Sequence, residues 1–376
     1  MGKLRGDWRD LFSGFVIALD VRKQVLALTG ALLIALFICI PTPHWALRYD
    51  PALAAEFEER GPASYVLLVP DAIAVLFRQE GCVGFWWILF ALTVFTAVWS
   101  LFGGAISRIA AVEIAREDRI RTQEALAFAW RKYGSNFSSL IACVLGFLFF
   151  AGLIWAASLP ARIPAAGPWL GLVLAVLFPL ALLMGFIATL IAIGTVFGFP
   201  LFYPAVAAEG TDAFDAISRG FSYIYSRPWQ ALTYLAVTLV HGAISTAFIY
   251  AFGVAMLAVT CGAVRLGMGP KFDPVIQFAL GRLGYAGVVE QGGTGLGWMA
   301  ILVTTWLLLT AGLTLSYALS YLQSQLTMIY FLLRLKVDEL PMNYVFEEKE
   351  EGEAAAAAER ADQTPAQPET EKGSDK

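Results

Sequence analysis

Six long apolar runs without a charged residue alternate with short polar stretches along this chain: Val25 to Ile40, Val83 to Ile106, Phe137 to Ala157, Trp169 to Phe199, Trp229 to Thr260 and Gly297 to Leu333. About 20 predominantly apolar residues are needed for a helix to cross a hydrocarbon layer ~30 Å thick, and these runs reach or approach that length. Only the first is short, so its helix begins earlier or its flanking residues snorkel. Between the runs a second pattern recurs. Leu11, Gly14, Phe15 and Ala18 stand at i, i+3, i+4 and i+7, as do Leu126, Ala129, Trp130 and Tyr133, and again Ile217, Gly220, Phe221 and Ile224. That spacing places each set on one helical face. Nine residues beyond the first member of each set stands a candidate cap, Asp20, Ser135 or Ser226, and the next apolar run follows.

The pattern predicts an all-α polytopic membrane bundle of three parallel units, about 9–106, 122–199 and 212–336, within one transmembrane domain spanning 1–345. Each unit is a surface-lying amphipathic elbow, an outgoing helix and a returning one. Gly14, Ala129 and Gly220 would let the elbows approach a neighbouring helix closely. Small residues four apart, such as Gly194 and Gly198, mark further helix contacts. The stretch Gly297 to Lys336 would extend about 60 Å as one helix and is expected to project from the membrane or bend near Gly312. Pro200 and Pro204 are expected to kink the fourth helix.

Composition agrees with a lipid surrounding. The 376 residues are 58% hydrophobic and 15% charged, with mean hydropathy +0.66, beyond the range of ordinary soluble domains. Lys and Arg gather before the first run (Lys3, Arg5, Arg9, Arg22, Lys23) and between the second and third (Arg108, Arg116, Arg119, Arg121, Arg131, Lys132), which predicts both termini in the cytoplasm. Tryptophans at the ends of the runs suit the headgroup level. A secretory leader is the competing reading of the first run, but "CIPTPHW" lacks a small-x-small cleavage pattern. Net charge is −4, and the acidic segment 346–376 reads as a disordered, solvated cytoplasmic tail.

The outer loops offer little chemistry. "ASYVLLVPDAIAVLFRQ" reads as an amphipathic or re-entrant helix interrupted by Pro70, and the glycine-rich "GGTGLG" as a flexible return. Cys82 and Cys261 fall at the same predicted boundary, where a disulfide is conceivable; Cys39 and Cys143 read as packing residues. HExxH, CxxC, GxSxG and GxxxxGK[ST] are all absent, and the apolar cores hold no Asp, Glu, Lys or Arg. The expectation is a non-enzymatic protein with no cofactor and no metal. His241 is the one ionisable group at depth, read either as a neutral histidine bonded to a neighbouring helix or as a group that senses or carries something. With Ser245, Thr246 and Gln323 it forms the candidate intramembrane polar site. Arg116, Arg119, Arg121, Trp130, Arg219 and Phe221 form the candidate cytoplasmic face for lipid or a partner. Asp212 and Asp215 suit the first turn of the third elbow.

The stretch "PAVAAEGTDAFDAISRGFSYIYSRPW", with Glu209, Gly210, Ala216, Arg219 and Gly220 at its fixed places, resembles bacterial multi-pass inner-membrane proteins of the YciC-like kind and the membrane domain attached to some glycerophosphodiester phosphodiesterases. "MIYFLLRLKVDELP" resembles how such chains close. The resemblance implies an inner-membrane helical bundle without an assigned reaction, and the phosphodiesterase domain itself is missing. The functional expectation is a membrane-organising scaffold whose partners are the bilayer and membrane or cytoplasmic proteins, self-association included, and not nucleic acid. The alternative is a transporter or channel component with a path among the three units.

Overall fold

The computed structural model describes residues 5–60, 69–78, 83–163 and 167–346. Among them there is no strand. After a 3-10 turn at Trp8–Ser13 come α1 (Gly14–Ala18), α2 (Val21–Ile34), α3 (Pro41–Ala46), α4 (Pro51–Arg60), α5 (Val69–Arg78), α6 (Val83–Arg116) and α7 (Thr122–Arg131). The second half holds α8 (Tyr133–Ser158), α9 (Gly167–Val176), α10 (Phe178–Glu209), α11 (Ala213–Ser226), α12 (Pro228–Met268), α13 (Asp273–Ala279) and α14 (Tyr285–Val337). Six segments are long and apolar enough to cross a membrane: Val21–Ala46, Val83–Arg116, Tyr133–Arg162, Phe178–Glu209, Pro228–Ala279 and Tyr285–Val337. This is a multi-pass membrane protein by length and composition, and its exposed Leu, Phe, Val and Trp side chains are those a lipid surrounding tolerates.

The boundaries depart from the apolar runs for local reasons. The first span starts at Asp20, whose carboxylate accepts from the Arg22 N–H, and continues through a π-helical segment at Ala35–Cys39. Of the other expected caps, Ser135 lies inside α8 and Ser226 is the last residue of α11; α12 instead opens on Pro228, whose missing N–H costs nothing at a first helical position. The run from Trp169 is two helices, because Pro179 has no N–H to offer α9; α10 alone is the span. The break in α14 falls at Gly293, φ +80°, rather than near Gly312, which stays helical with Leu28 packed against it. The return expected around "GGTGLG" is mostly helix, α13 packing with Val288 and Ala300 in a small apolar cluster. Helix α5 has Pro70 in its first turn, and residues 61–68 lie outside the described ones.

Helices α6, α10 and α14 pack against one another in pairs and form the centre. Around them α2 lies between α6 and α14, α8 between α10 and α6, and α12 along α14. The three elbow helices α1, α7 and α11 gather at one end, the collar, and each crosses a central helix at a glycine or alanine. A Cβ on Gly14 would meet the Gln325 side chain of α14; one on Gly104 of α6 would stand 3.6 Å from Ala129 Cβ; one on Gly198 of α10 would stand 3.4 Å from Gly220. Contacts this close are what small residues permit. The first elbow buries the indicated face, with Leu11, Gly14 and Ala18 all inside; in the second the buried face is turned, Ala125 and Phe128 being buried while Trp130 is 69% exposed. One position past the small residue is ~100° further round the helix; in the second elbow this turns Trp130 outward, whereas Phe15 and Phe221 still pack against α14 and α10.

Candidate functional site

The collar end carries most of the charge chemistry, and the central helices bring it there. Each of them terminates in a left-handed residue: Glu117 (φ +59°) after α6, Gly210 (φ +65°) after α10 and Glu339 (φ +57°) after α14. This conformation stops a helix by turning the chain sharply away, and a non-glycine residue adopts it only where surrounding contacts hold it. After Glu117 and Gly210 the chain enters α7 and α11. After Glu339 it forms a strap, residues 340–346, laid across the collar. The Phe346 N–H donates to Ala208 O at 2.8 Å, Arg108 Nη2 donates to Phe346 O at 2.8 Å, and Arg116 Nη2 reaches Val345 O at 3.4 Å. The Phe346 ring sits where a Cβ on Gly210 would be, and Val345 is buried.

Beneath the strap lies an ion network, buried at Arg334 and Glu209 and half-open at Arg219, Asp338 and Asp215. Arg334 is fully buried; its Nη2 donates to Tyr344 O at 2.8 Å and Pro341 O at 3.2 Å, and its Nη1 stands 3.6 Å from Glu209 Oε1. Glu209 also accepts from the Tyr330 hydroxyl and pairs with Arg219 Nη1 at 2.8 Å. Arg219 bonds Asp215 at 3.1 Å and approaches Asp338 at 3.6 Å; the Tyr223 hydroxyl donates to Asp338 at 2.5 Å. Burial disfavours the Arg219 charge, but Asp215 and Glu209 outweigh it and raise its pKa. Burial and the adjoining Asp338 carboxylate push the Tyr223 phenol up, so it stays protonated and donates. Asp212 caps α11 through the Asp215 N–H at 2.9 Å.

A second buried pair joins the first elbow to α6. Lys23, with no exposed surface, donates to Ile17 O at 2.9 Å and Glu113 Oε2 at 2.5 Å. Beside it, Asp20 is bonded by Arg22, which also reaches Ile120 O at 2.5 Å. Burial raises the Asp20 pKa, yet the side-chain and backbone bonds from Arg22 overcome this and lower it.

Deeper in the bundle, polar side chains join helices in two separate groups. His241 Nδ1 lies 2.8 Å from the Tyr321 hydroxyl, which is also 3.1 Å from Gln325 Nε2 and donates to Thr238 O at 3.3 Å. Gln325 Nε2 donates in turn to Leu11 O. Gln323 faces the other way: its Oε1 accepts from Trp99 Nε1 at 3.1 Å and its Nε2 donates to Ser107 at 2.7 Å. The expected site of His241, Ser245, Thr246 and Gln323 is therefore not one cluster. Ser245 returns a bond to Gly242 O, Gln323 bonds across to Trp99 and Ser107 of α6, and Tyr321 and Gln325 stand beside His241 in their place. Thr304, Thr305 and Thr310 bond carbonyls of their own helix rather than a neighbour. Pairs four apart, Tyr317/Tyr321 and Tyr321/Gln325, were the available signal for the missed residues.

The expected outer face of the collar also divides. Arg119, Arg121 and Trp130 are exposed; Arg116 is exposed but also tied to the strap; Arg219 is spent inside the ion network; and Phe221 packs on Gly194, Gly198 and Phe202. Cys261 is a free thiol, and Cys82 lies outside the described residues, as do residues 347–376 of the expected tail. Phe346, assigned by sequence to the start of that tail, is part of the strap. Among the described residues no three His, Cys, Asp or Glu side chains come together to hold a metal ion. Comparison with protein-family models, curated proteins and solved structures finds no match to the chain.

Proposed function

We propose that this protein is a non-enzymatic scaffold of the inner (plasma) membrane, with both termini cytoplasmic, that presents three elbow helices at headgroup level to anionic lipid and protein partners. The observation that carries the reading is the way the elbows are held. Gly14 backs onto α14, Ala129 onto α6 and Gly220 onto α10, so each elbow rests on the returning helix of the unit before it. Three units, about 9–106, 122–199 and 212–336, would then close on themselves around an axis through the central helices, with the first elbow locked onto the last unit. The left-handed stops after all three central helices support the same reading. Such a ring fixes where the outward residues Arg119, Arg121 and Trp130 stand, while its carboxylates are occupied by Arg, Lys and Tyr donors. Fixed presentation suits binding better than turnover.

The test is reconstitution of the full chain in sealed vesicles, with a photo-crosslinking residue in place of Trp130 or Arg119. Adducts to phosphatidylglycerol or to one added partner, from vesicles that retain an entrapped dye and a proton gradient, are the expected result. The His241–Tyr321–Gln325 chain between α12 and α14 is the one feature that favours a conduit. Solute flux abolished by His241→Phe would replace the scaffold reading with that one.

A further inference from the structure

The ring is closed unevenly. Helix α2 packs on both α6 and α14, and α8 on both α10 and α6, but α12 packs along α14 without a comparable contact to α10. The gap is a cavity of about 270 Å³ in the collar half of the bundle. One wall holds Phe197 of α10, the other Leu232 and Leu235 of α12, and Leu326, Ile329 and Leu333 of α14 form the floor. The floor is buried, while Leu232 and Phe197 are open at the edge, so the gap faces sideways into the bilayer. A second protein helix, about 10 Å across, is too thick for such a volume; one acyl chain is not.

At its collar end the gap meets polar and basic side chains. Tyr225 and Pro228 line it there, the Tyr225 hydroxyl donating to Leu190 O at 2.5 Å. Arg227, next to Pro228, is exposed, as is Trp229 at 80%. No side chain caps the first turn of α12, whereas Asp20 caps α2. A guanidinium beside an uncapped helix start suits a phosphate. We infer that the cleft between α10 and α12 binds one anionic phospholipid of the collar-side leaflet, an acyl chain between the helices and the phosphate at Arg227. This rests on the collar lying at headgroup level.

The experiment uses the full chain in vesicles carrying phosphatidylglycerol with a diazirine in its acyl chain, or the matching phosphatidylcholine, and maps the adducts by peptide mass spectrometry. Adducts concentrated on Phe197, Leu232 and Leu235, stronger with phosphatidylglycerol, are expected. Arg227→Gln should reduce the phosphatidylglycerol adducts about fivefold, to the phosphatidylcholine level. Ala231→Phe, which fills the cleft, should abolish them for both lipids, and a Leu266→Phe control on an exposed position of the same helix should leave them unchanged. Adducts spread evenly over the lipid-facing helices, or equal for both headgroups, overturn the site, as does a protein found in the cleft. The collar reading is checked apart, by aqueous thiol labelling of Arg119→Cys: protection there would fail that reading whatever the adducts show.

Discussion

At the scale of single residues, the decisive ones are charges without water. Lys23 is fully buried, and its ammonium is held by Glu113 and a carbonyl. Removing one partner of such a pair leaves the other uncompensated, a loss of about 3–5 kcal/mol, whereas replacing both by apolar groups is often neutral. Lys23→Met should therefore lower the detergent-solubilised melting temperature sharply, and Lys23→Met with Glu113→Leu should restore most of it. Asp20 gives a pH signature. Its folded pKa is below the ordinary 3.8, so its stabilising contribution is complete above that value and is lost as pH falls through the lowered one. Acid melts of Asp20→Asn should show a shallower loss of stability below about pH 4 than the parent; an unchanged acid limb would show that Arg22 does not hold it.

At the scale of elements, the crossings of elbow and central helix depend on missing side chains. Gly220 leaves no room for a Cβ against Phe202, and Gly198 packs on the same turn. Overfilling such a contact costs about 1–3 kcal/mol, so Gly220→Val should loosen α11 and speed proteolysis near Arg227 while distant parts stay protected. The spans, the elbows and their small contact residues were legible in the sequence because burial in lipid demands long apolar runs and close crossings demand glycine or alanine. The orientation of the second elbow was not: the rule that pairs i with i+4 could not tell Ala125 from Trp130, since both a packed face and an exposed ring can be apolar. Caps were half legible. Asp20 and Asp212 hold because carboxylates seek bare N–H groups, while Ser135 and Ser226 were overridden by helices that continue or end around them. The network of Glu209, Arg219, Tyr330, Arg334 and Asp338 joins residues more than a hundred positions apart, a partnership no local pattern announces.

At the scale of the molecule, the arrangement makes the topology testable. Cysteines at Arg119 and Glu290, introduced with the native thiols replaced by serine, should react from opposite sides of sealed vesicles; reaction from one side would remove the six-pass reading. The strap makes a separate demand. It bonds α6 and α10 through Phe346 and Val345 and covers Arg334. Cutting it away by ending the chain at Glu339 should leave the spans inserted but lower the melting temperature, and part of the loss should be mimicked by Phe346→Ala.

The first elbow is fastened to the last span: Leu11 O takes its bond from Gln325, 314 positions later, and Ala18 O from Ser320, 302 positions later. During synthesis the emerging chain must therefore hold that elbow unfastened until all six spans have left the ribosome. For all of that interval the bare backbone at Gly14 is without its counterpart, so a chain stopped short of its last span keeps that surface open.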